Sequence, residues 1–229
     1  FFSGVALVPR KTTTRERLIT TAADLFRRQG YAQTGVNQII QEANATSGSF
    51  YHFFPAKEDL LLAVVDHIAE IFESGIFGPA AQRSGDPIDE IFTILDLYRQ
   101  QLNTGDFTFG SPMASLSTEV SENHPQVRVR LAEIFAAWSG RIEELLRCAG
   151  NRLPSSLDHT ALAQLILCTT EGAVLGTRLN RSLAPFDSAI SQLRSYFDLL
   201  ESRIDATAGV ATARRSAPAE SQVSDWRSW

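Results

Sequence analysis

TGVNQIIQEANATSGSFYHFFPAK, residues 34–57, decides the fold of this 229-residue chain. Val36, Ile39, Ile40, Ala43, Ala45, Phe50 and Phe54 fall at spacings that let two short helices share one small core. Asn44 lies at the turn between them, where a left-handed backbone is often required and asparagine tolerates it better than most residues. Thr34 is placed to cap the first helix and Thr46 the second. Ser47, Gly48, Ser49, Tyr51 and His52 are left on the outer face of the second helix, and Lys57 follows just beyond it.

Outward from this stretch the pattern is all-α. Upstream, Thr13 and Glu16 form a capping-box pattern, Leu18, Ala22, Leu25 and Phe26 make one apolar stripe, and Gly30 ends the helix. Downstream, a long fourth helix is expected over roughly 56–74 and a break over SGIFGPAAQRSGD, 74–86. Asp86 and Pro87 open a further helix to about Asn103. TGDFTFGSP, 104–112, reads as a loop before a short helix to about Glu122. Pro125 opens a long helix to about Cys148. The Ser155 and Asp158 spacing opens another to about Arg178, and the last runs over roughly 186–204. The chain thus divides into a flexible arm (1–11), a helix-turn-helix domain (12–56), a helical body (57–205) and a tail expected to be largely disordered (206–229).

Composition bounds the function. A hydrophobic fraction of 44% and a charged fraction of 21% suit a folded soluble protein, and no apolar run is long enough for a bilayer, so a cytoplasmic protein is expected. Cys148 and Cys168 read as buried free thiols, and the four scattered histidines give no metal-ligand spacing, so neither metal nor cofactor is expected. The net charge of −5 is uneven: residues 1–57 hold seven Lys/Arg against three Asp/Glu, and the rest is acidic. A basic head on an acidic body suits a protein that meets phosphates with one end.

The second helix of the opening stretch therefore suits entry into a DNA major groove. Serine hydroxyls serve either base edge, Gly48 permits close backbone approach, and Tyr51, His52 and Lys57 have the reach for phosphate oxygens, as do the first N–H groups after Thr46. By periodicity alone, a helix pair that never touches DNA fits equally well.

RERLITTAADLFRRQGYAQTGVNQIIQEA followed by NATSGSFYHFFPAKEDLLLAVV resembles the head of the TetR family of transcriptional regulators, chiefly through Phe50, Tyr51, Phe54, Lys57, Leu60 and Leu61. The resemblance implies base contacts from Ser47, Gly48 and Ser49, base or backbone contacts from Tyr51 and His52, and phosphate contacts from Lys57 and Thr34. It also implies a base contact from Asn37. Asn44 stands where the family usually has glycine, and Ser47 where lysine or arginine is common. One short helix reads too little sequence by itself, so a homodimer on a palindromic double-stranded operator is expected.

Family likeness also places the dimer contact on the last two helices, through Leu165, Gly172, Gly176, Leu193 and Phe197. Phe107, Phe109, Met113, Leu116, Phe135 and Trp138 form an aromatic-rich set suited to a small hydrophobic effector, with Thr169, Thr170 and Glu171 as polar contacts. The body's likeness to a TetR subgroup is weaker than the head's. Ligand-released repression is the main expectation. A constitutive DNA binder, or a helical enzyme on an apolar substrate, stands as the alternative, although no nucleophile–base pair is visible and Glu119, Glu122 and His124 read as a solvated helix end.

Overall fold

The computed structural model describes residues 12–104, 111–120 and 123–216, with side chains to Arg203. Among them are α1 (Thr14–Gln29), α2 (Val36–Glu42), α3 (Ser47–Phe53), α4 (Lys57–Phe72), α5 (Gly78–Arg83), α6 (Pro87–Thr104), α7 (Pro112–Val120), α8 (Pro125–Cys148), α9 (His159–Asn180) and α10 (Ala184–Ser216), and no strand. The all-α fold is as the sequence indicates.

The three-helix head forms because each of its helices has one apolar face, and α1 and α3 have capped starts. Thr13 Oγ1 accepts from the Glu16 N–H at 3.2 Å, while the Thr13 N–H donates to Glu16 Oε2 at 2.8 Å. Leu18, Ala22, Ile39, Phe50 and Phe54 close the head's core at 2% exposure or less. Asn44 has φ 49°, the left-handed value that the tight turn needs. Arg17 then clasps that turn from α1: its Nε donates to the Ala43 carbonyl at 3.1 Å and Nη2 to the Asn44 carbonyl at 3.4 Å.

α4 belongs to both head and body. It packs on α1 on one side and on α8 on the other, and Arg130 of α8 holds Asp66 of α4 at 2.7 Å. The break expected at 74–86 is not where the sequence puts it. The chain stays helical through Arg83, with one wide π turn at Glu73–Phe77. Pro79 explains the turn, since its ring cannot fit against the carbonyl of a regular preceding turn. The Gly78 N–H reaches back to the Glu73 carbonyl, one residue further than in an α-helix.

In the body, α8 packs against α6, α7 and α9, and α9 against α10. Asp86 caps α6 as expected, accepting from the N–H groups of Ile88 and Asp89 at 2.9 and 3.0 Å. Asp158 alone caps α9, through Ala161. α10 continues to Ser216 rather than ending near 204. Both cysteines are exposed rather than buried, Cys168 because it falls on the outer side of α9.

Because a β-carbon strains a left-handed residue, Asn44→Val should lower stability by about 1–2 kcal/mol, whereas Asn44→Gly should match or exceed the wild type. Chemical denaturation of the three proteins side by side tests this.

Candidate nucleic-acid interface and its connection to the body

α3 is short, so its ends matter more than its propensity. Thr46 and Ser49 fix its start reciprocally. The Ser49 N–H donates to Thr46 Oγ1 at 3.1 Å and the Thr46 N–H to Ser49 Oγ at 3.0 Å. Ser49 Oγ also donates to the Thr46 carbonyl at 2.8 Å. Two residues expected at the DNA are thus occupied in building the helix that would read it. Phe50 anchors the inner face with no exposure, its ring edge-on to Tyr51 at 5.1 Å.

What remains on the outside is a polar row. Asn37 on α2 and Ser47, Gly48 and His52 on α3 are exposed, and Tyr51 stands 57% exposed. Around Gly48 there is open space, with Thr46 Oγ1 no nearer than 4.0 Å to where a β-carbon would sit. Phe53, 37% exposed beside His52, is an apolar neighbour that the sequence reading passed over.

Two other expected contacts point inward. Thr34 is buried at 1% exposure; its hydroxyl donates to the Gly30 carbonyl at 2.7 Å and accepts from Gln29 Nε2 at 3.2 Å. Gly35, not Thr34, is the residue that precedes α2. Lys57 turns its ammonium to the Tyr31 carbonyl at 2.5 Å and lies over the Tyr31 ring at 3.9 Å. Desolvation draws that lysine's pKa down, and the charge of Glu119 works against the shift. Arg27 and Arg28 pair with Asp24, and Arg28 also with Glu42. Of the head's described cations, Arg27 and Arg28 are thus ion-paired, while Lys57 and Arg17 are engaged by backbone carbonyls. Among the described residues, Arg15, exposed on α1 with its guanidinium over the Phe54 ring at 5.6 Å, is the cation left beside α3.

Glu119 joins this head to the body. From near the end of α7, its carboxylate accepts from the Tyr31 N–H at 2.9 Å and the Ala32 N–H at 2.5 Å, in the loop between α1 and α2. Gly30 makes room for it. Its φ is 86°, and a β-carbon there would lie 3.1 Å from Glu119 Oε1. His124 completes the joint, edge-on to Tyr31 at 5.2 Å and with Nδ1 3.3 Å from Glu58 Oε2. Glu119 is exposed near the end of α7, as the reading of a solvated helix end expects, but that reading missed that Glu119 and His124 both engage groups distant in sequence. Glu122 lies outside the described residues.

In the body, Met113, Leu116 and Trp138 are buried, while Phe135 and Thr169 are half-buried. Trp138 stacks on Phe72 of α4 at 4.6 Å and meets Phe135 at 5.5 Å. Phe107 and Phe109 lie outside the described residues.

Of the expected dimer residues, Leu165 and Gly172 are on the outer side of α9. Leu193 and Phe197 are corrected to the protomer's own core, at 6% and 2% exposure, with the Phe197 ring 5.4 Å from Phe92. Gly176 likewise serves the protomer's own α9–α10 crossing, since a β-carbon there would meet Pro185 at 3.0 Å. Leu175 and Leu179, at 57% and 75% exposure, are the outward apolar residues that the sequence reading did not separate from the rest.

Residues 18–64 match the model of bacterial regulatory proteins of the tetR family. Residues 87–192 match that of the C-terminal domain of LmrA/YxaF-like transcriptional regulators. An HTH-type transcriptional regulator of Mycobacterium tuberculosis is 33% identical over 187 residues, covering 79% of this chain and 92% of that protein. The HTH-type transcriptional repressor NemR of Escherichia coli is 25% identical over 195 residues, 80% of this chain and 92% of the repressor. A solved TetR transcriptional regulator from Chloroflexus aurantiacus superposes with a TM-score of 0.73 at 29% identity, over 81% of this chain and 94% of its own.

Removing the carboxylate with Glu119→Ala should free the Tyr31 and Ala32 amides. Hydrogen exchange across residues 26–34 should then accelerate by about tenfold or more, with α8 and α9 unaffected. Unchanged exchange in that loop would show that the joint does not hold it.

Proposed function

Given that the chain belongs to the TetR family of DNA-binding transcriptional regulators, we propose that it is a homodimeric repressor released from a palindromic operator by a small hydrophobic or aromatic molecule. The joint at Glu119 carries this reading. Met113 and Leu116 sit in the body on the same short helix whose far end grips the head's first loop. A molecule lodged against α7 acts on the head directly, without relay through a long chain of contacts. It changes operator affinity only by its preference for one head arrangement over another, typically about 1–3 kcal/mol.

Proteins of the family are generally dimeric, and α9 and α10 offer a face for it. Leu165, Cys168, Gly172, Leu175 and Leu179 repeat on α9 at alternating steps of three and four, all exposed, with Tyr196 and Leu199 exposed on α10. Such a seam is the pattern by which one helix meets another. Base reading falls to Asn37, Ser47, Gly48, Tyr51 and His52, and phosphate contact to Arg15. Thr34, Thr46, Ser49 and Lys57 support the reading surface instead of forming it. NemR of E. coli is named a repressor, and the sign of regulation is proposed here on that likeness.

An operator selected from random duplexes, followed by fluorescence polarisation against salt, tests the assignment of roles. Arg15→Ala should flatten the log–log salt dependence by about one phosphate's worth, a slope change near 0.9. Lys57→Ala should leave the slope alone while lowering head stability. Tyr51→Ala should weaken operator binding by about tenfold or more. An equal slope change for Lys57→Ala would return that lysine to the phosphates. Separately, Leu175→Glu with Leu179→Glu should convert the protein to a monomer in sedimentation and abolish protection of an inverted repeat; a persisting dimer would move the interface elsewhere.

A further inference from the structure

Three polar side chains from separate parts of the body meet in its interior. Tyr98 of α6 is 8% exposed, its ring edge-on to Phe72 at 5.3 Å and to Phe186 at 6.2 Å. Its hydroxyl is enclosed and makes no well-formed hydrogen bond, although the Ser111 hydroxyl lies close enough to act on it. Glu171 of α9 approaches closely enough to act on it electrostatically; the residue is half-buried, and its Oε2 atom is enclosed with no well-formed hydrogen bond. Ser111, at 4% exposure immediately before α7, neighbours both. Burial first, and the nearby carboxylate second, push the Tyr98 phenol far up. Burial also raises the Glu171 carboxyl, and the Ser111 hydroxyl offsets part of each shift.

Packing alone does not account for this arrangement. An enclosed carboxylate without a counter-charge destabilises a fold, and interiors otherwise avoid one. Glu171 has no ion pair with any cation among the described residues, although arginines elsewhere on the body find acidic partners readily. An acidic group without a counter-charge, beside a buried phenol whose ring packs on Phe72 and Phe186 and with only the Ser111 hydroxyl acting on both, is complementary to a positively charged donor on an apolar frame.

We propose that Tyr98, Ser111 and Glu171 form the polar anchor of the effector site, and that the effector is a hydrophobic molecule carrying a protonated amine. This rests on reading the body as an effector domain, and it adds the charge class of the ligand. The ammonium donates to Glu171 Oε2, Tyr98 donates to or accepts from a neighbouring polar atom, and the apolar frame lies toward Phe72 and Phe186. Ser111 then sets the near end of α7, whose far end carries Glu119.

Calorimetric titration of the full-length protein without DNA, using naphthylethylamine, naphthylethanol and naphthylacetate, tests the anchor. The amine should bind at least about tenfold more tightly than the alcohol, and the acid most weakly. Glu171→Gln should abolish that preference and, by removing the isolated charge, raise the melting temperature by about 2–4 °C or more. Tyr98→Phe should weaken the amine several-fold while keeping its lead over the alcohol. Equal affinity for amine and alcohol, the same preference in Glu171→Gln, or no binding of any of the three overturns the proposal. Operator release is read separately. An amine that binds through Glu171 and leaves operator affinity unchanged upholds the anchor and removes the ligand-released repressor reading.

Discussion

The Glu119 carboxylate, held by the N–H groups of Tyr31 and Ala32, is the constraint on which the arrangement of this molecule turns. The head is small, and among the described residues α4 is its only long helical connection to the body. A single helix leaves a head free to swing about its end. Two amide donors captured from the α1–α2 loop supply a second attachment, and with two attachments the head's angle becomes a property of the body. Gly30 is needed for the approach, and Lys57 tightens the same loop from the other side by binding the Tyr31 carbonyl. The π turn after α4 keeps that helix continuous into α5 despite Pro79, so displacement of its body end is carried along a rigid element.

Within the head, stability and recognition compete for the same side chains. Thr46 and Ser49 bond each other's backbones, Arg17 clasps the helix-turn-helix turn, and Thr34 ties the loop to α1. These contacts compensate for two helices of only seven residues each, too short to hold themselves. The consequence, among the described residues, is a recognition surface with little free positive charge, as Arg27, Arg28 and Lys57 are engaged internally. A weakly charged reading surface gains most from being presented twice, and the exposed leucine seam of α9 offers the means.

The body separates two kinds of apolar surface on one helix. Leu162, Ile166, Ala173 and Val174 face the protomer's own core, while Leu165, Leu175 and Leu179 face outward. At the boundary, Glu171 turns in, toward Tyr98, and accepts a burial cost that an outward rotamer would avoid. The same helix thus carries both the pairing surface and one wall of the buried polar cluster, so occupancy of one can influence the other.

Sequence alone determined the helices, most of their ends and the family. The capping box at Thr13, the cap at Asp86, the left-handed Asn44 and the apolar periodicity are local signals, each legible within a few residues. Four of the six residues carrying the family resemblance, Phe50, Phe54, Leu60 and Leu61, are fully or almost fully buried, which is why the pattern identifies a fold more surely than a base sequence. Tertiary structure decided which polar residues were free. Lys57 reads as a phosphate contact, Glu119 as a solvated end and Phe197 as an interface residue. Each is claimed by a group far along the chain: the Tyr31 carbonyl, the Tyr31 and Ala32 amides, and the Phe92 ring. Periodicity specifies a residue's face on its own helix, but a charge or ring is committed only when a distant partner arrives, and no local pattern encodes that meeting.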